Sequence, residues 1–101
     1  MSAETQPDAD DVEVVDNPAE GRFEARLGGR VAGFSTYRVV GDRVVFLHTE
    51  VDPEFEGRGI GSRLVGGALD EVRSRGLLVT PRCPFVAAHI QRHPEYADLV
   101  R

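Results

Sequence analysis

Glu54-Phe55-Glu56-Gly57-Arg58-Gly59-Ile60-Gly61-Ser62-Arg63-Leu64 joins an extended apolar segment to a helical pattern through three alternating glycines. Glycine at 57, 59 and 61 strips the Cβ atoms from one side of the turn, so that backbone N–H groups can close on phosphate oxygens. A helix N-terminus adds unpaired N–H groups and the positive end of its dipole. The stretch therefore predicts an anion cradle formed by Arg58, Gly59, Ile60, Gly61, Ser62 and Arg63, with the two arginines as neighbouring cations.

Downstream, Ile60, Leu64, Val65, Ala68, Leu69 and Val72 recur at spacings of three and four, with Asp70, Glu71, Arg73 and Arg75 on the opposite face and Gly76 as a stop. That pattern predicts an amphipathic helix of about four turns. Gly66-Gly67 in its middle costs about 1 kcal/mol per residue relative to alanine, which points to close packing against a sheet or a cofactor. Leu77-Leu78-Val79-Thr80 is a continuous apolar run of the kind found in a strand buried on both faces, here parallel to the preceding strand through the crossover helix. Pro81 ends it. Pro84 opens a short helix through Arg92, and His93-Pro94 breaks the helix before a final turn at residues 95–100.

Upstream, Phe23, Ala25 and Leu27 alternate with charges, Gly28-Gly29 supplies a hairpin turn, and Arg30 to Val40 returns as a second strand. Gly41-Asp42 turns the chain into a third, β-branched and aromatic strand, Arg43 to Val51. The expected class is α/β (α+β): a mixed sheet in which an antiparallel meander runs into the glycine loop, an amphipathic helix, a parallel strand and short C-terminal helices.

A chain of 101 residues, 41% of them hydrophobic, accommodates one compact domain, placed at residues 21–101. Residues 1–20 hold seven acids, no base, Pro7 and Pro18, and read as a disordered acidic extension in which Val12, Val14 and Val15 leave room for an edge strand. The net charge of −5 resides there, because the rest of the chain carries 12 arginines against 10 acids. Its scattered arginines and few aromatics argue against a nucleic-acid surface. With no run of about 18 apolar residues and an acidic rather than basic N-terminus, no membrane association is expected and the location is read as cytoplasmic. One cysteine cannot form an internal disulfide, which fits a reducing compartment.

Two other phosphate-binding readings fail on composition. A P-loop requires Gly-Lys-Ser/Thr, and the chain has no lysine. A dinucleotide fingerprint requires a third glycine where Ser62 stands, and the 39 residues after it are too few for a doubly wound sheet.

A strand, a glycine-rich loop, an amphipathic helix and a parallel strand in this order resemble the GNAT superfamily of N-acetyltransferases. The pyrophosphate-binding motif of that superfamily, Gln/Arg-x-x-Gly-x-Gly/Ala, falls on Glu56-Gly57-Arg58-Gly59-Ile60-Gly61, with both glycines in place and Glu56 departing at the first position. Cys83-Pro84-Phe85-Val86 and His93-Pro94-Glu95-Tyr96 resemble the very small, single-domain acetyltransferase-like family, over roughly residues 22–101. The resemblance implies acetyl-CoA as cosubstrate and no metal. Its diphosphate would sit on the N–H groups of residues 58–63, and its pantetheine arm would lie between the third strand, at Val51, and Leu77 to Thr80. It also implies an amine acceptor, either a small molecule or a protein lysine or N-terminus, and a monomer or weak homodimer. A non-catalytic acyl-CoA-binding module is the alternative.

Acetyl transfer to an amine needs a proton acceptor near neutrality and a donor for developing negative charge. His48, late in the third strand, is the candidate base, and strand alternation puts Glu50 on the same face. His48 reads equally, and Glu50 more readily, as an ordinary strand-face side chain. Cys83, at the start of the following helix, could take the acetyl group covalently, donate a proton to the departing sulfur, or be a small inert core residue. Tyr96 reads as a packing residue. His89 and His93, four apart, could join Cys83 as zinc ligands, but no fourth ligand is evident and capping or exposed histidines are the simpler reading.

Overall fold

The computed structural model describes residues 11–101; the first half of the acidic extension, residues 1–10, lies outside the described residues. Five strands form one sheet in the order β1-β2-β3-β4-β5: β1 (Glu13–Asn17), β2 (Arg22–Leu27), β3 (Arg30–Val40), β4 (Arg43–Val51) and β5 (Leu78–Pro81). The first four pair antiparallel and β5 joins β4 in parallel, so the class expected from the sequence is the one observed. Between β4 and β5 the chain makes a 3₁₀ turn at Pro53–Phe55 and the helix α1 (Ile60–Ser74); α2 (Pro84–Arg92) and a 3₁₀ segment, Pro94–Leu99, follow β5.

Within the acidic extension, Glu13–Asn17 pair with β2. Val14 and Val15 pair opposite Ala25 and Glu24, which makes β1 the edge strand for which the valines left room. The meander therefore has four strands, and the strand entering the glycine loop is β4. Gly28 and Gly29 form the β2–β3 turn with φ of 59° and 80°, conformations that side chains other than glycine's rarely adopt.

The helices lie together on one face of the sheet. α1 buries Ile60, Leu64, Val65, Ala68, Leu69 and Val72, each at 1% exposure or less, against Phe23, Ala25, Val44, Phe46 and Val79. Burying side chains of this size stabilises the fold by about 1.5–3 kcal/mol each. Gly67 explains the glycine pair in mid-helix. A Cβ there would stand 2.7 Å from Val14 Cγ2 and 2.9 Å from Val14 Cβ, so the partner that needs the missing side chain is strand β1.

Two irregularities shape the sheet's uncovered face. Between β3 and β4, Tyr37 pairs with Phe46 but Thr36 pairs with His48, leaving Leu47 as an extra residue, a β-bulge. Upstream of it Val44 and Phe46 face the core, and downstream Thr49 and Val51 do, so His48 and Glu50 face outward. On β2, Glu24 also points away from the helices, yet it is 2% exposed because Arg22 and Arg26 fold over it.

Candidate functional site

The sheet opens where β4 and β5 part. Their parallel ladder runs from Arg43 opposite Leu78 to Phe46 opposite Pro81, and its last link is the Cys83 N–H donating to the Phe46 carbonyl at 2.9 Å. Beyond that point α2 turns away, and residues 49–51 of β4 have no strand on that side. The Asp52 N–H donates to Ala32 O, so by the antiparallel alternation Glu50 and His48 bond to β3. The N–H and C=O groups of Thr49 and Val51 consequently face the gap. An extended chain carrying amides can pair with them as a further strand would.

A cleft of about 660 Å³ fills this gap. Thr49, Glu50 and Val51 form one wall, the glycine loop with Ile60, Gly61 and Ser62 another, and the Phe85 ring the third. At its mouth Gly57 and Gly59 have φ of 82° and 76°, and Gly59 is the N-cap of α1 in the left-handed conformation. The first intrahelical bond is Arg63 N–H to Gly59 O at 3.1 Å, which leaves the N–H groups of Gly59, Ile60, Gly61 and Ser62 as the four without a helical acceptor. They open on the cleft beside the positive end of a 15-residue helix. Gly61 is needed for a different reason, since a Cβ there would fall 2.6 Å from Phe85 Cζ.

The loop before the cradle is held by charge and aromatic contacts. Arg30 grips Glu54 with two bonds of 2.9 Å, keeping the Glu54 carboxyl below the usual carboxylate range. The guanidinium groups of Arg30 and Arg58 lie 5.2 and 5.7 Å from the Phe55 ring centroid. Asp52 Oδ1 accepts from the Glu54 N–H at 2.9 Å, closing the turn.

Of the residues expected to hold the cosubstrate, Val51, Gly59, Ile60, Gly61 and Ser62 line the cleft. Arg58 sits over Phe55, and Arg63 lines a neighbouring cleft of about 350 Å³ that shares Ser62. The expected placement of a pantetheine arm against Leu77 to Thr80 needs correction. Leu78 to Thr80 are paired with β4 at residues 43–45, and the gap opens only past Pro81. Thr49 lines the cleft without having been singled out in the sequence, and Phe85, which the sequence offers only as part of the Cys83-Pro84-Phe85-Val86 segment, lines it too.

The candidate chemical groups fall on opposite sides of β4. On the outer face, His48 Nε2 lies 3.2 Å from Glu50 Oε2, with both side chains about 60% exposed, as their alternation predicted. On the helix side, Cys83 is 3% exposed and its thiol donates to Thr49 Oγ1 at 3.4 Å, while Thr49 and Ser35 hydroxyls meet at 2.9 Å. Tyr96 lies apart, bonded to Asp70 at 2.7 Å in the neighbouring cleft, and burial with that carboxylate pushes its phenol up to about 12. His89 and His93 stack at 4.2 Å there, and burial, then the His93 and Arg92 charges, lowers the His89 pKa. No group of three or more histidine, cysteine or acidic side chains among the described residues could hold a metal ion.

Comparison with known proteins agrees with this architecture. Residues 22–99 match the family described as GCN5-related N-acetyl-transferase. Protein NATD1 of Mus musculus is 35% identical over 75 residues, 72% of this chain and 68% of that protein. The [ribosomal protein bS18]-alanine N-acetyltransferase of Escherichia coli (strain K12) is 31% identical over 55 residues, which span 54% of this chain but only 37% of that enzyme. The solution structure of a GCN5-like candidate N-acetyltransferase from Staphylococcus aureus superposes with a TM-score of 0.67 at 22% identity, covering 90% of this chain and 89% of the other, and shows the same fold. The chain belongs to the GCN5-related N-acetyltransferase family and is an acyltransferase.

Proposed function

We propose that the chain binds acetyl-CoA in the 660 Å³ cleft and transfers the acetyl group to an amine by direct attack. One observation carries the reading: the N–H groups of Gly59 to Ser62, at the start of α1, open on the same cleft as the unpaired edge of β4 at Thr49 and Val51. The first set suits a diphosphate and the second an amide-bearing arm, two features that acetyl-CoA combines. In this reading the thioester lies at the end of the cleft that Thr49 lines, next to its contact with Cys83.

In the transfer, the amine nitrogen forms a bond to the thioester carbonyl carbon and the carbon–sulfur bond breaks. The nitrogen's proton passes to the His48–Glu50 pair on the outer face of β4, and the departing sulfur takes a proton from the Cys83–Thr49 side. Direct attack is favoured over an acetyl-cysteine because Cys83 is 3% exposed and engaged with Thr49, whereas a nucleophile must reach the carbonyl carbon.

The test is a calorimetric titration with acetyl-CoA alongside intact-protein mass and amine-dependent release of CoA. Binding, release of CoA only with an amine, and no mass increase of the protein are expected. No binding would dismiss the cleft as the cosubstrate site, and a stable acetyl adduct lost in Cys83→Ala would replace direct attack by a covalent route.

A further inference from the structure

The helix-free face of the sheet carries a further cleft next to His48 and Cys83. It holds about 530 Å³ and is lined by Arg38 and Val40 of β3, Arg43, Val45 and Leu47 of β4, and the β5 end at Thr80 and Arg82. Register fixes the layout. Arg38 and Thr80 flank Val45 on either side, and the Leu47 bulge and Arg82 stand one step further, at the end of the β4–β5 ladder. Arg82 immediately precedes Cys83, and Leu47 immediately precedes His48. The cleft therefore ends where an amine must arrive.

Its arginines contrast with the five that carry an ion pair elsewhere on the sheet and helices. Arg22, Arg26, Arg30, Arg73 and Arg75 are each ion-paired to a carboxylate. Arg38, Arg43 and Arg82 have no carboxylate partner among the described residues. Between them lies an apolar floor, with Val40 55% and Leu47 39% exposed.

We infer that this cleft docks an acidic stretch of polypeptide whose lysine or terminal amine is the acetyl acceptor. The inference rests on the acetyl-transfer reading above and names its acceptor class. Planar guanidinium groups pair carboxylates with two parallel bonds, and three of them around an apolar floor select an acidic, partly apolar segment. An extended chain advances about 3.3 Å per residue, as β4 does, so Arg43 stands roughly 13 Å from Leu47. That span exceeds a small amine and places the acidic residues within about four positions of the acceptor amine. A nucleic acid fits less well, because the cleft offers no aromatic ring on which a base could stack.

The experiment uses the full chain and fluorescein-labelled 12-residue peptides in which one central lysine is flanked either by Glu and Asp or by Gln and Asn. Fluorescence anisotropy at low salt should show the acidic peptide binding about tenfold more tightly, with the preference lost in Arg38→Gln/Arg43→Gln/Arg82→Gln. The far-UV circular dichroism spectrum and the cooperative thermal unfolding of that variant should match wild type, which shows that it is folded, and its calorimetric affinity for acetyl-CoA should be unchanged. Acetyl transfer should favour the acidic peptide by a similar factor. Equal binding of the two peptides, a preference that survives the three substitutions, or tighter binding of a single-stranded 12-nucleotide DNA would overturn the proposal. So would binding that appears only in Glu4→Gln/Asp8→Asn/Asp10→Asn, which would assign the cleft to the chain's own acidic residues. The anisotropy result decides the docking surface even if the wild-type chain fails to bind acetyl-CoA, an outcome that would count against the cosubstrate reading alone.

Discussion

The Phe85 ring occupies the space that a side chain on Gly61 would need, with an ideal Cβ at 61 lying 2.6 Å from Phe85 Cζ. The contact ties the first turn of α1 to the first turn of α2, so two walls of the 660 Å³ cleft are set by one pair of residues. Gly61→Val should push Phe85 into the cleft and weaken acetyl-CoA binding by about tenfold or more, because overpacking at such a site costs about 1–3 kcal/mol. The double substitution Gly61→Ala/Phe85→Leu should recover most of the affinity by calorimetry. No recovery would mean that glycine at 61 serves the ligand rather than the ring.

Gly59 tests the cradle in a different way. Its φ of 76° lies in the left-handed region, where a β-branched residue costs at least about 1–2 kcal/mol, and its N–H is one of the four facing the cleft. Gly59→Val should abolish measurable acetyl-CoA binding while thermal unfolding remains cooperative and its midpoint falls by a few degrees. Retained affinity would remove the loop from the binding site.

His48 and Glu50 should separate in their effects on pH dependence. On the proposed mechanism, in which His48 accepts the amine's proton, His48→Gln is expected to lower kcat about a hundredfold and flatten the acid limb of the kcat/KM profile, whereas Glu50→Gln should lower kcat less and move that limb. A His48→Gln enzyme with a wild-type profile would exclude the imidazole from the proton path. For Cys83→Ala, unchanged acetyl-CoA affinity and a turnover loss of about ten- to a hundredfold are expected if its thiol protonates the departing sulfur, and unchanged turnover would leave it a core residue.

The fold was legible because most of its information is local. Alternation over Phe23, Ala25 and Leu27, the Gly28-Gly29 turn, and the three-and-four spacing from Ile60 to Val72 each specify an element without reference to the rest of the chain. Gly67 was legible as an anomaly, and only the fold shows that Val14 is its cause. For the candidate site, the place of the glycine loop ahead of α1 and the shared face of His48 and Glu50 were legible. Thr49, Phe85 and the Leu47 bulge were not, because each acquires its place from cross-strand register or from a contact between elements distant in sequence. The arginines show the same limit. Scattered along the chain, Arg38, Arg43 and Arg82 gave no patch in sequence, and the sheet assembles them.

Glu24 predicts the acid stability of the domain. It is 2% exposed, accepts from Arg26 at 2.7 and 3.0 Å, from Arg22 at 2.8 Å and from Asn17 at 3.0 Å, and the Arg26 bonds lead in lowering its pKa from 4.5 to about 2 against the opposing effect of burial. A carboxyl whose folded pKa is depressed binds fewer protons in the folded than in the unfolded state, so its stabilisation is complete above pH 4.5 and is lost as the pH falls towards about 2. Glu24→Gln keeps the shape but leaves two guanidinium groups without their shared charge, and should cost about 1–3 kcal/mol at pH 7. Urea unfolding from pH 7 to 2 should show wild type and variant converging below pH 4.5. Curves that stay parallel across that range would mean that the carboxylate's charge contributes nothing and that its packing alone holds the β1–β2 edge.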